Sequence, residues 1–373
     1  MEDINSIAKI KVFGVGGAGN NAVNRMVDDV RGVEFIAVNT DKQVLRVSKA
    51  SETLCIGEKL TKGLGAGGNP RVGQDAAEES KDRIKELLQG TDLVFITAGM
   101  GGGTGTGAAP IIAKIARELG ILTVAVVTRP FKFEGEVRAR NAQIGISNLS
   151  KFVDCTVIVP NQALVDKSKG NTTMLEAFAI ADEVLRQGVQ CITDLIVKTM
   201  HINLDFADIE SVMRNSGVAH MGIGRARGEN RLLTAIQQAV KSPILETSVK
   251  DASKIIVSIT GGRDLGLQEV ANCSDLIASV LDEHANFIFG VDIDENFNDE
   301  VQVIIIATCF PKQAQQQIPQ AQEKPTSPQS SQPAQPVPPT PVAQPVQPVR
   351  PQPPAPKPVD DVPPYIRKMR EGR

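Results

Sequence analysis

The sequence predicts an α/β protein: a doubly wound parallel sheet, a long connecting helix, a smaller α/β domain with a mixed sheet, and a disordered C-terminal tail. Three observations predict it. Apolar strand-like runs alternate with helix-length segments through residue 159. Two of those runs end in glycine-rich turns that open helices. Only Pro70, Pro110, Pro130, Pro160 and Pro243 of the 23 prolines precede Pro311, where the composition changes abruptly.

Residues 7–15 read as the first strand, followed by Gly14-Val15-Gly16-Gly17-Ala18-Gly19 and a helix over 20–30. Gly14, Gly16 and Gly19 fit G-x-G-x-x-G, and a strand before and a helix after strengthen an otherwise weak motif. A second strand, 33–38, ends at Asn39-Thr40-Asp41, a placement that suits groups facing a ribose. Residues 60–73 hold Gly63, Gly65, Gly67 and Gly68 and read as a mobile loop, and 75–90 as one helix.

The apolar strand 93–98 leads into Gly99-Met100-Gly101-Gly102-Gly103-Thr104-Gly105-Thr106-Gly107, and Ala108-Ala109-Pro110 reads as a helix start with Pro in the first turn. Strand, glycine turn and helix make an anion site. Residues without Cβ let backbone N–H groups converge on a ligand, and the helix N-terminus adds partial positive charge. Gly101, Gly102, Gly103 and Gly105 supply that backbone, and Thr104 and Thr106 add hydroxyls. A merely flexible loop is the plain alternative; six glycines between a buried strand and a well-formed helix weigh against it. No Gly-Lys-Ser/Thr ends the loop, so this is not a Walker A motif. Phosphate charge must be met by backbone, hydroxyls and a metal.

Residues 121–127 form a continuous apolar strand, 129–135 break the pattern, 136–150 read as a helix and 155–159 as a strand. Thr173 and Glu176 make a capping box for a helix reaching about Met200, roughly 40 Å at 1.5 Å per residue. Asp182 sits in its middle, where a solvated face residue is the plain reading. In Asn203-Leu204-Asp205-Phe206-Ala207-Asp208, Asp208 can cap a helix over 209–214, whereas Asp205 has no such structural use. The second domain reads as strand 219–225, helix 230–240, strand 255–259, helix 267–283 and strands 287–291 and 301–308, the last two as a hairpin that makes the sheet mixed. The boundaries fall at 1–172, 173–202, 203–311, 312–360 and 361–373. Residues 312–360 are Gln, Pro, Ala, Val and Ser with few charges and cannot bury a core. Residues 361–370 restore apolar and basic side chains, including the only Tyr, and read as a peptide ligand for another protein; an unstructured basic end is the alternative.

The totals exclude several functions. A net charge of −3 over 373 residues leaves no electrostatic footprint for nucleic acid, and one Tyr and no Trp leave few stacking platforms. Five cysteines without a C-x-x-C pair and three scattered histidines give no zinc site or Cys–His nucleophile, and suit a reducing cytosol. The N-terminus lacks signal-peptide character, and no apolar run approaches the ~20 residues that span a bilayer. The expectation is a cytoplasmic protein with no direct membrane insertion.

The loop 99–107 with Ala108-Ala109-Pro110 resembles the tubulin-type GTPase motif. The run from Gly14 to Val23, Phe133-Glu134-Gly135 and Asn203 to Asp208 resemble the FtsZ family of bacterial cell-division proteins, over about residues 7–310, and the C-terminal segment resembles its tail peptide. The resemblance implies a GTPase that polymerises head to tail and forms the division ring at mid-cell. It places GTP or GDP phosphates on Gly16, Gly17, Ala18, Gly19, Asn20 and Asn21 and on the second loop, Glu134 and Arg138 near ribose and guanine, Phe178 against the base and Asp182 on its Watson–Crick edge. A carboxylate there accepts from guanine N1–H and the N2 amino group, which adenine cannot offer. Asn is common at that position in the family, a departure that leaves the base choice intact. The resemblance gives Asn203, Asp205 and Asp208 to the neighbouring subunit's pocket, with Mg²⁺ on the phosphates and no metal-ligating side chain. It gives residues 361–373 to membrane-tethering and regulatory division proteins. Two rivals remain: an NAD-dependent dehydrogenase, which leaves the second loop unexplained, and a polymer that binds GTP without turnover.

Overall fold

The computed structural model describes residues 8–166, 172–197, 205–241, 252–280 and 286–309. The chain opens with β1 (Ile10–Val15), α1 (Gly16–Met26), β2 (Val33–Asn39), α2 (Lys42–Arg46), β3 (Glu52–Cys55), α3 (Glu58–Thr61), α4 (Pro70–Glu79) and α5 (Lys81–Leu88). Then come β4 (Leu93–Gly99), α6 (Thr104–Glu118), β5 (Leu122–Arg129), a 3₁₀ turn (Lys132–Glu134), α7 (Glu136–Leu149), β6 (Cys155–Pro160) and α8 (Asn161–Asp166). After α9 (Met174–Val197) and α10 (Phe206–Met213) follow β7 (Gly217–Arg227), α11 (Arg231–Val240), β8 (Lys254–Gly261), α12 (Leu267–Val280), β9 (Asn286–Ile293) and β10 (Glu300–Thr308).

The strands join in the order β3-β2-β1-β4-β5-β6-β7-β10-β8-β9. All pairs from β3 to β7 are parallel. Strands buried on both faces need helices on both faces, which explains the unbroken apolar runs. One core packs α1, α9 and α10 on the sheet through Val23, Met26, Leu185, Ile192 and Met213; the opposite core packs α4 to α7 through Ala77, Ile84, Ile112 and Ile146. Ile256, Ile304 and Ile306 of β8 and β10 join the first core, so one hydrophobic cluster runs from the parallel part of the sheet into its mixed part.

Several expectations are corrected. Residues 60–73 are not one loop: α3 ends within them, and Asn69 caps α4, its Oδ1 accepting from Arg71 N at 3.0 Å with Pro70 at the first helical position. The helix over 75–90 is two helices, broken at Ser80, whose hydroxyl accepts from Gly57 N. Helix α6 begins at Thr104 rather than near Ala108, so Pro110 is its seventh residue. Glycines let α4 and α6 pack closely: a Cβ on Gly107 of α6 would lie 1.9 Å from Pro70 O, and one on Gly73 of α4 2.4 Å from Gly103 O. Helix α1 likewise starts at Gly16, directly off β1. Elements β3, α2 and α8 had no sequence counterpart.

The terminal hairpin is absent. β9 lies parallel to β8, and β10 inserts antiparallel between β7 and β8. The sheet is mixed, by another route. β10 carries Val301, Val303 and Ile304 to Ile306, all buried, and a strand buried on both faces belongs inside a sheet, not at its edge. The ends of the helices expected over 173–200 and 267–283, Asn203, and residues 312–373 lie outside the described residues.

Candidate active site

In this strand order the chain reverses direction between β1 and β4, and a ligand crevice belongs at the carboxyl ends of strands flanking such a point. A cavity of about 270 Å³ lies there, lined by Gly16, Gly17 and Ala18 from the first turn and by Gly102 to Gly105 from the second. Its other end is lined by Glu134, Arg138, Phe178 and Asp182.

The glycines divide into two kinds. Gly16 (φ +74°) and Gly101 (φ +110°) sit in left-handed backbone, and a Cβ on either would come within 2.8 Å of protein, at Gly105 N and Arg138 O respectively. The fold requires these. Gly17 and Gly102 have no such φ and no protein atom within 4 Å of a built Cβ, yet both line the cavity. A Cβ there would meet open space rather than protein. This fits a phosphate held by backbone amides at the N-termini of α1 and α6.

The two threonines differ. Thr106 Oγ1 accepts from Gly101 N at 2.8 Å and holds the loop closed from beneath, away from the cavity. Thr104 lines the cavity, and its Oγ1 lies 2.7 Å from Thr40 Oγ1. Among the described residues no group of three His, Cys, Asp or Glu could hold a metal, so protein carboxylates do not form a cation cage here. Five cysteines are free; burial pushes the Cys155 and Cys191 thiols up to about 12, which removes them as nucleophiles.

At the far end Phe178 of α9 meets Phe131 edge to face at 5.3 Å, and Phe131 stacks on Phe133 at 5.2 Å. Glu134 accepts from Phe131 N at 2.9 Å and pairs with Arg138. Asp182 is not a solvated face residue. Arg25 Nε donates to its Oδ2 at 3.1 Å, and burial raises its pKa while Arg25 opposes the rise. Arg25 escaped the sequence reading, although it lies four residues after Asn21 on the same helical face. Thr128, Pro130, Asn161 and Leu185 also line the cavity without having been singled out. Only Leu185 had a legible signal, three residues beyond Asp182.

Gly19, Asn20, Asn21, Gly101 and Thr106 do not line it. The Asn20 side chain, 1% exposed, donates to Gly14 O at 2.7 Å and Val38 O at 3.4 Å and accepts from Asn39 Nδ2 at 2.7 Å. It clamps β1 to β2. Asp205 and Asp208 also stand outside the cavity, and their structural roles differ from expectation. Asp205 is the N-cap of α10, its Oδ1 accepting from Asp208 N at 2.8 Å, and Asp208 is the third helical residue of the same capping box. The helix starts at Phe206, one turn earlier than read, because an Asp three residues before another satisfies two amides reciprocally.

Residues 9–169 match the model of the Tubulin/FtsZ family GTPase domain, and residues 217–311 that of the FtsZ family C-terminal domain. An FtsZ from M. jannaschii, solved as an empty dimer, is 44% identical with a TM-score of 0.78, over 81% of this chain and 88% of that one. The chain belongs to the FtsZ family. A point mutant of the M. jannaschii FtsZ gives the same identity and TM-score over 81% of this chain and 91% of its own. CetZ2 from Haloferax volcanii, a GTPγS-bound protofilament, shares the fold at 21% identity and TM-score 0.68, over 80% of this chain and 92% of that one. As an FtsZ-family protein the chain is a GTPase, and guanine nucleotide is its ligand class. No helix among the described residues is long and apolar enough to cross a membrane.

Proposed function

We propose that this protein binds GTP across the cavity, assembles head to tail into protofilaments, and hydrolyses GTP at each junction, building the division ring at mid-cell on the cytoplasmic side of the membrane. One observation carries the reading. The two carboxylates lining the cavity, Glu134 and Asp182, each hold an arginine, while Asp205 and Asp208 stand exposed on α10 with no ion pair among the described residues. In this reading the carboxylate that orients water at the phosphates comes from a second copy. The dimer of the M. jannaschii relative supports such self-assembly.

In this reading the glycine cradle and Thr104 hold the phosphates, Phe178 packs on the base, and Asp182 accepts from guanine N1–H and N2–H. Glu134 and Arg138 meet the ribose. Asp205 and Asp208 of the next copy, with Asn203, hold and polarise the water whose oxygen attacks the γ-phosphorus as the bond to the β-phosphate oxygen breaks. Mg²⁺, where it accompanies the nucleotide beside Thr104 and the glycine cradle, would supply charge neutralisation. Residues 1–172 form the nucleotide domain, 173–202 the connecting helix and 203–311 the assembly domain; 312–360 are a tether and 361–373 a docking peptide for membrane-tethering and regulatory division proteins.

Phosphate release from GTP, followed with Mg²⁺ against protein concentration alongside light scattering, tests this. The expected result is a threshold concentration common to both signals. Release strictly proportional to protein, with no scattering, removes the role of Asp205 and Asp208 in a neighbour's pocket.

Guanine binding also carries a pH signature. Asp182 accepts both base protons only when ionised, and its folded-state pKa is raised by burial. Affinity for GDP is therefore full above that pKa and falls as pH drops through it, at a higher pH than an ordinary carboxylate near 3.8 would give. Titration of GDP at stepped pH reads this, and Asp182→Asn flattens the profile.

A further inference from the structure

We infer that Thr40, outside the cavity, is a positioning residue that orients the Thr104 hydroxyl toward the nucleotide phosphates. The inference rests on the reading that phosphate occupies the glycine cradle.

Thr40 directly follows β2 and is fully buried. Its carbonyl is held, accepting from Gly65 N at 3.1 Å. Its hydroxyl has one partner, Thr104 Oγ1 at 2.7 Å. Two hydroxyls share that bond and only one can donate in it, so the hydrogens can be assigned by elimination. With Thr104 donating, the Thr40 hydrogen would be buried without an acceptor, which costs a desolvated donor. With Thr40 donating, its hydroxyl hydrogen is used, and the hydroxyl hydrogen of Thr104 is left over. Thr104 lines the cavity and has no other described partner. Its hydrogen is then presented to the cavity, where an anionic phosphate oxygen accepts it as a charge-assisted bond. Thr40 thus fixes the polarity of a hydroxyl whose own rotation would otherwise let it offer either a lone pair or a hydrogen.

The test is a double-mutant cycle in the full-length protein, with GDP binding measured by calorimetry below the assembly threshold. Thr40→Val keeps shape and removes the hydroxyl; it is expected to weaken GDP about 10-fold, the worth of one net hydrogen bond. Thr40→Ser restores wild-type affinity. In a Thr104→Val background Thr40→Val has no further effect, because its action passes through Thr104. Competition by guanosine, which has no phosphate, is unchanged by Thr40→Val. A loss of guanosine binding equal to that of GDP, or effects of the two substitutions that add, means a general packing role and overturns the inference. Unchanged GDP affinity in Thr40→Val overturns it as well. A wild-type protein that binds no guanine nucleotide would instead sink the underlying reading, so the two failures are distinct.

Discussion

Gly102→Val is expected to abolish nucleotide binding while leaving the fold intact. The backbone at Gly102 is open to any residue, and a Cβ there meets no protein atom within 4 Å. The fold therefore has room for the Cβ of valine, in a residue that lines the cavity of about 270 Å³ where, in the proposed reading, the phosphates approach the α6 amides. Losing two or more charge-assisted bonds, each worth roughly 1.5–3 kcal/mol, lowers GTP affinity at least about 100-fold. The melting temperature of the nucleotide-free protein stays near wild type. Gly107→Ala, one turn further on, behaves oppositely: its Cβ would sit 1.9 Å from Pro70 O, so it forces α4 from α6 and destabilises by about 1–3 kcal/mol or more. Calorimetry of both variants, scanning and titrating, separates ligand space from packing. A Gly102→Val protein that binds GTP normally would move the phosphate site elsewhere.

Asp208→Asn is expected to leave GTP affinity unchanged and to lower turnover by about 100-fold or more, the usual worth of a positioned carboxylate acting on water. Asn keeps the oxygen that closes the capping box on Asp205 N, so α10 survives and the charge alone is tested. Mixing this variant with Gly102→Val gives the sharper result. One has a sound pocket and no carboxylate to lend; the other has a blocked pocket and an intact Asp208. Each is inert alone, and the mixture regains hydrolysis where a Gly102→Val subunit serves the pocket of an Asp208→Asn neighbour. Co-assembly without any recovery would place the carboxylate's action inside its own subunit.

What could be read in advance followed the range of the interactions. Both glycine turns were legible because strand, turn and helix are contiguous. So was the Thr173–Glu176 capping box, whose Glu176 Oε2 accepts from Thr173 N at 2.8 Å and Oγ1 at 2.9 Å. The Asp182–Arg25 pair spans 157 positions and left no local trace. The start of α10 turned on which of two aspartates caps it, a three-residue ambiguity that composition cannot break. Pro110 misled because its first-turn preference is statistical, and the glycine-rich run before it is itself helical from Thr104. β9 and β10 were placed by sequence proximity, but β10 is apolar on both faces and was claimed by the sheet interior.

The division of labour along β7 has a mechanical consequence. Its first three residues, Gly217, Val218 and Ala219, pair with β6, and the next eight, from His220 to Arg227, pair with β10. Ten strands are thus stitched into one ribbon, but the stitching between its ends narrows to three residue pairs, against six between β1 and β4 and eight between β7 and β10. Torque or tension passed along the sheet concentrates at that narrow seam. The parallel part of the sheet and the mixed part meet there through a single strand, with longer ladders on either side.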